Sequence, residues 1–165
     1  MLKLRGVYLA YDHGVEHGPT DFDDKNYDPK YILDIAKKGE VDAIVMLKGA
    51  AEKYYSKDLG IPLILKLNAK TKLRNGDPIS KQWTSVEYAI KLGAEAIGYT
   101  IYAGSEYEAE MFAEFGRIQE EARKYRLKVI LWSYPRGSSI KDDEDPNIVA
   151  YAARLGFELG ADIVK

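Results

Sequence analysis

The residues best suited to chemistry in this chain stand just after apolar runs. Asp12 follows the run Gly6–Tyr11, and Lys48 follows Asp42–Leu47. Lys66 and Asn68 follow Pro62–Leu65, and Tyr102 follows Ala96–Ile101. Tyr134 follows Lys128–Trp132, and Lys165 follows Ala161–Val164. If each run is a strand of a parallel sheet, these tips share the face on which such folds bind ligands. A single polar tip says only that a strand has ended; polar tips on every run make a candidate site. Asp162-Ile-Val-Lys165 reads as a buried strand that delivers a lysine inward. An amine held among apolar neighbours favours its neutral form, which attacks a carbonyl. Lys48, Lys66 and Lys165 all qualify, and Lys48 and Lys66 are equally suited to hold a phosphate. Position along the chain does not choose among the three.

Two segments are denser in functional groups. In Asp12-His-Gly-Val-Glu-His-Gly-Pro19, His13 and His17 stand at i and i+4, a spacing that invites a metal. The glycines and Pro19 oppose the helix that would align them. The preferred reading is a loop turned back over the sheet, with Asp12 as its functional group and no metal site. In Trp132-Ser-Tyr-Pro-Arg-Gly137, read as following the fifth strand, Tyr134 projects a phenol over the tips, restricted by Pro135. Trp132 offers an apolar wall against water. Arg136 suits a phosphate or carboxylate, although a structural ion pair is the preferred reading for it.

These tips need a scaffold. The six apolar runs are continuous rather than alternating, as strands covered on both faces are. Helical patterns with readable ends separate them. Asp28-Pro29 and Asp145-Pro146 pair a cap with a proline at the first helical position. Thr84-Ser-Val-Glu87 and Ser105-Glu-Tyr-Glu108 fit capping boxes. Gly39, Gly93 and Gly160 close helices as left-handed caps. Each of these glycines heads an echo: Gly39-Glu-Val-Asp-Ala-Ile-Val, Gly93-Ala-Glu-Ala-Ile and Gly160-Ala-Asp-Ile-Val. Strand–helix alternation predicts a parallel sheet with right-handed crossovers. A doubly wound sheet of six strands would be complete at this length. Strand starts about 31 residues apart instead match a barrel of roughly 250 residues. No Walker loop, G-x-G-x-x-G or G-x-S-x-G is present, which weakens the nucleotide-fold reading.

Composition narrows the class. The chain has 165 residues, no Cys, and a net charge of -2. It therefore has no thiolate chemistry, and its charge argues against a nucleic-acid partner. No apolar run reaches a membrane span, so no membrane partner is expected. Abundant Lys and Glu with no Cys lean towards a heat-adapted source. One domain over residues 1–165 and a cytoplasmic location are expected.

Leu9-Ala-Tyr-Asp-His-Gly-Val-Glu-His-Gly-Pro19, Ala51-Glu-Lys-Tyr-Tyr55, Pro62-Leu-Ile-Leu-Lys-Leu-Asn68, Gly98-Tyr-Thr-Ile-Tyr102, Leu131-Trp-Ser-Tyr-Pro-Arg-Gly137 and Ile148-Val-Ala-Tyr-Ala-Ala-Arg154 together resemble the archaeal-type class I fructose-bisphosphate aldolases. The resemblance implies an α/β fold, a TIM (β/α)8 barrel, represented here by about five βα units plus the sixth strand. It implies a lysine Schiff base with no metal and no cofactor. It assigns the amine to Lys165, in a Gly-Ala-Asp-x-x-Lys context, the proton-transferring phenol to Tyr134, the water-excluding wall to Trp132 and the active-site aspartate to Asp12. Substrate contacts are expected from His13, Lys48, Lys66 and Arg136. The implied substrate is a sugar phosphate, fructose 1,6-bisphosphate, and a homo-oligomer is expected. A related Schiff-base enzyme, aminodideoxyheptulosonate synthase, shares Asp-His-Gly, Tyr-Pro-Arg-Gly and Gly-Ala-Asp-x-x-Lys. Its relatives usually lack the Trp-Ser-Tyr form and the second His-Gly-Pro, both kept here. A non-catalytic doubly wound domain that binds a phosphometabolite or a partner is the third reading.

Two departures shape the expectation for this sequence. Only a five-residue stub precedes Gly6, where the family has a short helix. Nothing follows the sixth strand, so the family's phosphate loops after strands seven and eight match no residue. The chain is therefore expected to be an incomplete, weakly active fragment with unpaired strand edges.

Overall fold

In the computed structural model, residue 2 and residues 5–165 are described. Residues 1, 3 and 4, part of the stub before Gly6, lie outside the described residues. The apolar runs form six strands: β1 (Tyr8–Tyr11), β2 (Ala43–Leu47), β3 (Leu63–Lys66), β4 (Ala96–Ala103), β5 (Lys128–Pro135) and β6 (Ile163–Val164). Between them lie α1 (His13–Glu16), α2 (Pro29–Lys38), α3 (Lys48–Tyr54), α4 (Val86–Lys91), α5 (Glu108–Lys124) and α6 (Pro146–Glu158).

All neighbouring strands are parallel and their order is β1-β2-β3-β4-β5-β6. This order separates the two architectures. A doubly wound sheet reverses its strand order at a switch point. Strictly sequential order means that every right-handed crossover adds its helix on the same side, as in a barrel. The chain is a partial (β/α)8 barrel, and the doubly wound alternative is set aside.

Because side chains alternate along a strand, the sheet has two different faces. The outer face carries Ile44, Met46, Leu63, Leu65, Ile97, Ile101, Val129 and Leu131, packed on Leu33 and Ala36 of α2, Val86 and Ala89 of α4, and Met111, Phe115 and Ile118 of α5. The inner face carries Ala43, Val45, Ile64, Ala96, Ile130 and Trp132, with Tyr8, Tyr134 and Ile163 packed against them. Both faces are apolar, which is why the runs in the sequence do not alternate.

Most helix ends follow the sequence. The Asp28 and Asp145 carboxylates accept from the Lys30 and Asn147 amides. The capping boxes shift. Ser85, not Thr84, caps α4 by accepting from the Tyr88 amide. At α5, Ser105 accepts from the Tyr107 amide, while Glu108 reaches back one residue further, to Gly104 N–H. Gly93 and Gly160 are left-handed, but Gly39 is not: its φ is -82° and Glu40 takes the positive φ instead.

The echo has a physical basis. The amides of Asp42, Glu95 and Asp162 each donate, at 2.9 Å, to the carbonyl of Val7, Leu63 and Val129 respectively. The Asp42 and Asp162 carboxylates also accept from the amides of Val7 and Val129. Each acidic residue thus staples the start of β2, β4 or β6 to the start of the strand before it.

Candidate active site

Strand parity aims the polar tips. On β3, Ile64 faces inward, so Lys66 does too. On β5, Ile130 faces inward, so Trp132 and Tyr134 follow. β5 is longer than its sequence suggests, because pairing with β4 continues to Ala103–Pro135. Trp132 and Tyr134 therefore lie within the strand rather than after it, and their aim is set by the pleat. Gly98, opposite Ile130 on β4, leaves room for the indole: a Cβ there would meet Trp132 at 2.6 Å.

The result is a cleft of about 470 Å³ at the C-terminal ends of the strands, lined by Asp12, His13, Glu16, His17, Lys66, Lys70, Lys72, Tyr102, Trp132, Tyr134, Arg136 and Lys165. Lys66 is buried, and its ammonium donates to Asp12 Oδ2 at 2.5 Å and Glu16 Oε1 at 3.2 Å. It also lies 5.3 Å from the Trp132 ring centroid. Lys165 is exposed and differently placed. Its Nζ donates to the Tyr134 hydroxyl at 3.2 Å, and among the described residues no carboxylate pairs with it. This geometry distinguishes the competing lysines. The Lys66 ammonium is committed to two carboxylates, whereas the Lys165 amine faces a phenol across the cleft.

Tyr134 is stacked 6.2 Å from Tyr102 and 4.9 Å from the Arg136 guanidinium. Burial, reinforced by the nearby Glu16 charge, holds the Tyr102 phenol well above its ordinary range, so it stays protonated. Arg136 Nε donates to Asp143 Oδ2 at 3.1 Å, the ion pair expected for it, yet the side chain also borders the cleft.

Two placements differ from the sequence reading. Lys48 is not brought to the cleft. Val45 faces inward, so Leu47 does too and Lys48 falls on the other side, where it opens α3. Its ammonium sits 3.8 Å from Glu52 and 4.8 Å from the Tyr88 ring. It borders a separate apolar pocket of about 380 Å³ with Tyr11, Phe22, Leu47 and Trp83. The segment after Asp12 also forms a helical turn, α1, which the glycines were expected to prevent. The histidines nonetheless diverge: His13 stacks on Phe22 at 5.0 Å, and His17 Nδ1 lies 2.7 Å from Asp21 Oδ2. Among the described residues, no group of three or more His, Asp or Glu is arranged to hold a metal ion.

The sequence reading missed Glu16, Lys70 and Lys72. Glu16 was findable: it stands at i+4 from Asp12, so one helical turn puts both carboxylates on one side. Lys70 and Lys72 belong to the long β3–α4 connection, and no local pattern turns them towards the cleft.

Residues 6–165 match the family model described as DeoC/LacD family aldolase. A class 1 fructose-bisphosphate aldolase from Thermoproteus tenax is 53% identical over 98% of this chain and 61% of its own length. The crystal structure of an archaeal fructose 1,6-bisphosphate aldolase superposes with a TM-score of 0.93 and 51% identity, covering 97% of this chain and 64% of that one. A further archaeal aldolase structure, with its catalytic lysine covalently bound to the carbinolamine intermediate of the substrate, gives 0.92 at 51% identity over the same shares. The chain thus spans about three-fifths of the length of the relatives it matches.

Proposed function

The chain belongs to the DeoC/LacD aldolase family, and from that premise we propose that it carries the Schiff-base machinery of a class I fructose-bisphosphate aldolase. The observation that carries the reading is the Lys165 amine facing the Tyr134 hydroxyl at 3.2 Å on the ligand-binding face of the sheet.

In this reading neutral Lys165 Nζ attacks the C2 ketone of fructose 1,6-bisphosphate and forms a carbinolamine. Loss of water gives an iminium. The C4 hydroxyl passes its proton to solvent water, the C3–C4 bond breaks, and its electron pair moves through C2 onto nitrogen. Glyceraldehyde 3-phosphate leaves. Tyr134 protonates C3 of the remaining enamine, and water releases dihydroxyacetone phosphate and free Lys165. Asp12 steadies the carbinolamine and the sugar hydroxyls, Lys66 holds the Asp12 carboxylate in place, and Trp132 keeps water away. His13 and Arg136 border the substrate, and Arg136 offers charge to a phosphate. One domain over residues 1–165, a cytoplasmic location and a homo-oligomer belong to the same proposal. The aminodideoxyheptulosonate synthase reading has less support, because the close relatives carry fructose-bisphosphate aldolase names.

Borohydride reduction with dihydroxyacetone phosphate, followed by peptide mass spectrometry, tests the assignment. A reduced adduct is expected on Lys165 and on no other lysine, and Lys165→Met is expected to lose it. Tyr134→Phe is expected to keep the adduct while turnover falls by roughly 10²–10⁴. An adduct on Lys66, or none at all, would sink the reading.

A further inference from the structure

The loops that follow β3, β4 and β5 are bound to one another at a single carboxylate. Asp77 stands in the 67–85 connection after β3, which is longer than ordinary α/β loops. Its Oδ2 accepts from the Glu106 amide at 2.7 Å, in the loop after β4. Its Oδ1 and Oδ2 accept from the Ser138 amide and hydroxyl at 2.9 and 3.0 Å, in the loop after β5. Neighbouring contacts close the same joint. Ser105 Oγ donates to the Pro78 carbonyl at 2.7 Å, and Arg74 donates to the Tyr107 hydroxyl at 3.1 Å. Gly137 lies flat on the backbone of residues 104–105, where a Cβ would come within 2.3 Å of Gly104 O.

Ser138 is two residues from Arg136 and four from Tyr134. The Arg136 amide donates to the Tyr134 carbonyl at 2.9 Å, and the guanidinium covers the Tyr134 ring. The pleat of β5 sets the face on which Tyr134 lies; whatever holds residue 138 fixes the end of that strand just beyond it and the place of Arg136 over its ring. Among the described residues Asp77 makes no hydrogen bond to Lys165, whose backbone is held by β5 at residues 131 and 133, before the joint, although its amine donates to the Tyr134 hydroxyl.

We propose that Asp77 is a positioning residue for the reaction: it fixes the β5–α6 loop so that Tyr134 and Arg136 are set for proton transfer and substrate grip. This role rests on the Schiff-base reading given above, and it predicts a split among the steps. Amine addition at Lys165 depends on its backbone pairing with residues 131 and 133, which precede the joint, and is expected to change far less. Protonation at C3 and substrate affinity depend on the β5–α6 loop.

Three readouts on the full chain test this. In Asp77→Ala and Asp77→Asn, borohydride trapping at Lys165 is expected to stay within about twofold of the unsubstituted protein. Exchange of the C3 proton of dihydroxyacetone phosphate with deuterated water is expected to fall at least tenfold. Amide hydrogen exchange at Ser138 and Glu106 is expected to speed up. Ser138→Ala removes one bond only and is expected to give a smaller fall in the same direction. Added to Asp77→Asn, it is expected to contribute less than it does alone, because the two changes cut one link. Unchanged C3 exchange in Asp77→Ala, with trapping intact, would overturn the positioning role and leave the Schiff-base reading standing. Parallel loss of trapping and exchange would also overturn it, by showing general damage. Absence of any Lys165 adduct in the unsubstituted protein would remove the reading and this role with it.

Discussion

At the scale of single residues, the cleft separates two lysines that look alike in sequence. Lys66 is 3% exposed and sits between Asp12 and Glu16, themselves 14% and 17% exposed. Removing one member of such a cluster leaves charge buried without compensation, which costs more than the cluster itself contributes. Lys66→Met is expected to destabilise the fold by about 2–3 kcal/mol at neutral pH. Urea unfolding at pH 7 checks this, and a loss below about 0.5 kcal/mol would contradict it. Glu16, which the sequence did not single out, is one of the two carboxylates of this cluster. Its spacing from Asp12 made it findable, but the glycines around it argued against the single helical turn that aims it.

At the scale of elements, the strand-start staples govern how the sheet holds its register. The Asp162 carboxylate accepts from the Val129 amide at 2.8 Å and from Arg123 and Lys128 at 3.0 and 3.3 Å. Burial alone would raise its pKa, but the amide and the two cations outweigh this and hold it below the ordinary aspartate range. A depressed folded pKa contributes stability that is present above the unfolded value and lost as pH falls through the folded one. Asp162→Asn is therefore expected to cost about 1–2 kcal/mol at pH 7. The gap from the unsubstituted protein should narrow below about pH 4. Thermal melts across pH 2–8 test this; a gap that widens in acid would reverse the sign. The echo that carries these residues was legible in the sequence. What it was for was not, because the partners of Asp42 and Asp162 lie 35 and 33 residues earlier in the chain.

At the scale of the whole molecule, large side chains remain on the outer surface of the helices. Tyr151 and Phe157 of α6 are 70% and 65% exposed, and Tyr27, just before α2, is 69% exposed. Apolar groups at this density favour association. Sedimentation is expected to find a species heavier than the 18.6 kDa chain, and Tyr151→Glu with Phe157→Glu is expected to shift it towards that mass. A monomer at all concentrations would contradict the homo-oligomer. The sequence by itself determined the alternation of strands and helices, most helix caps, and the placing of reactive groups at strand tips. These depend on period, propensity and capping, which act over a few residues. Only the tertiary structure decided that the strands run in sequential order, that Lys66 is clamped while Lys165 faces Tyr134, and that Lys48 points away. Those outcomes depend on pairing register and on the parity of each strand, and a shift of one residue sends a side chain to the opposite face.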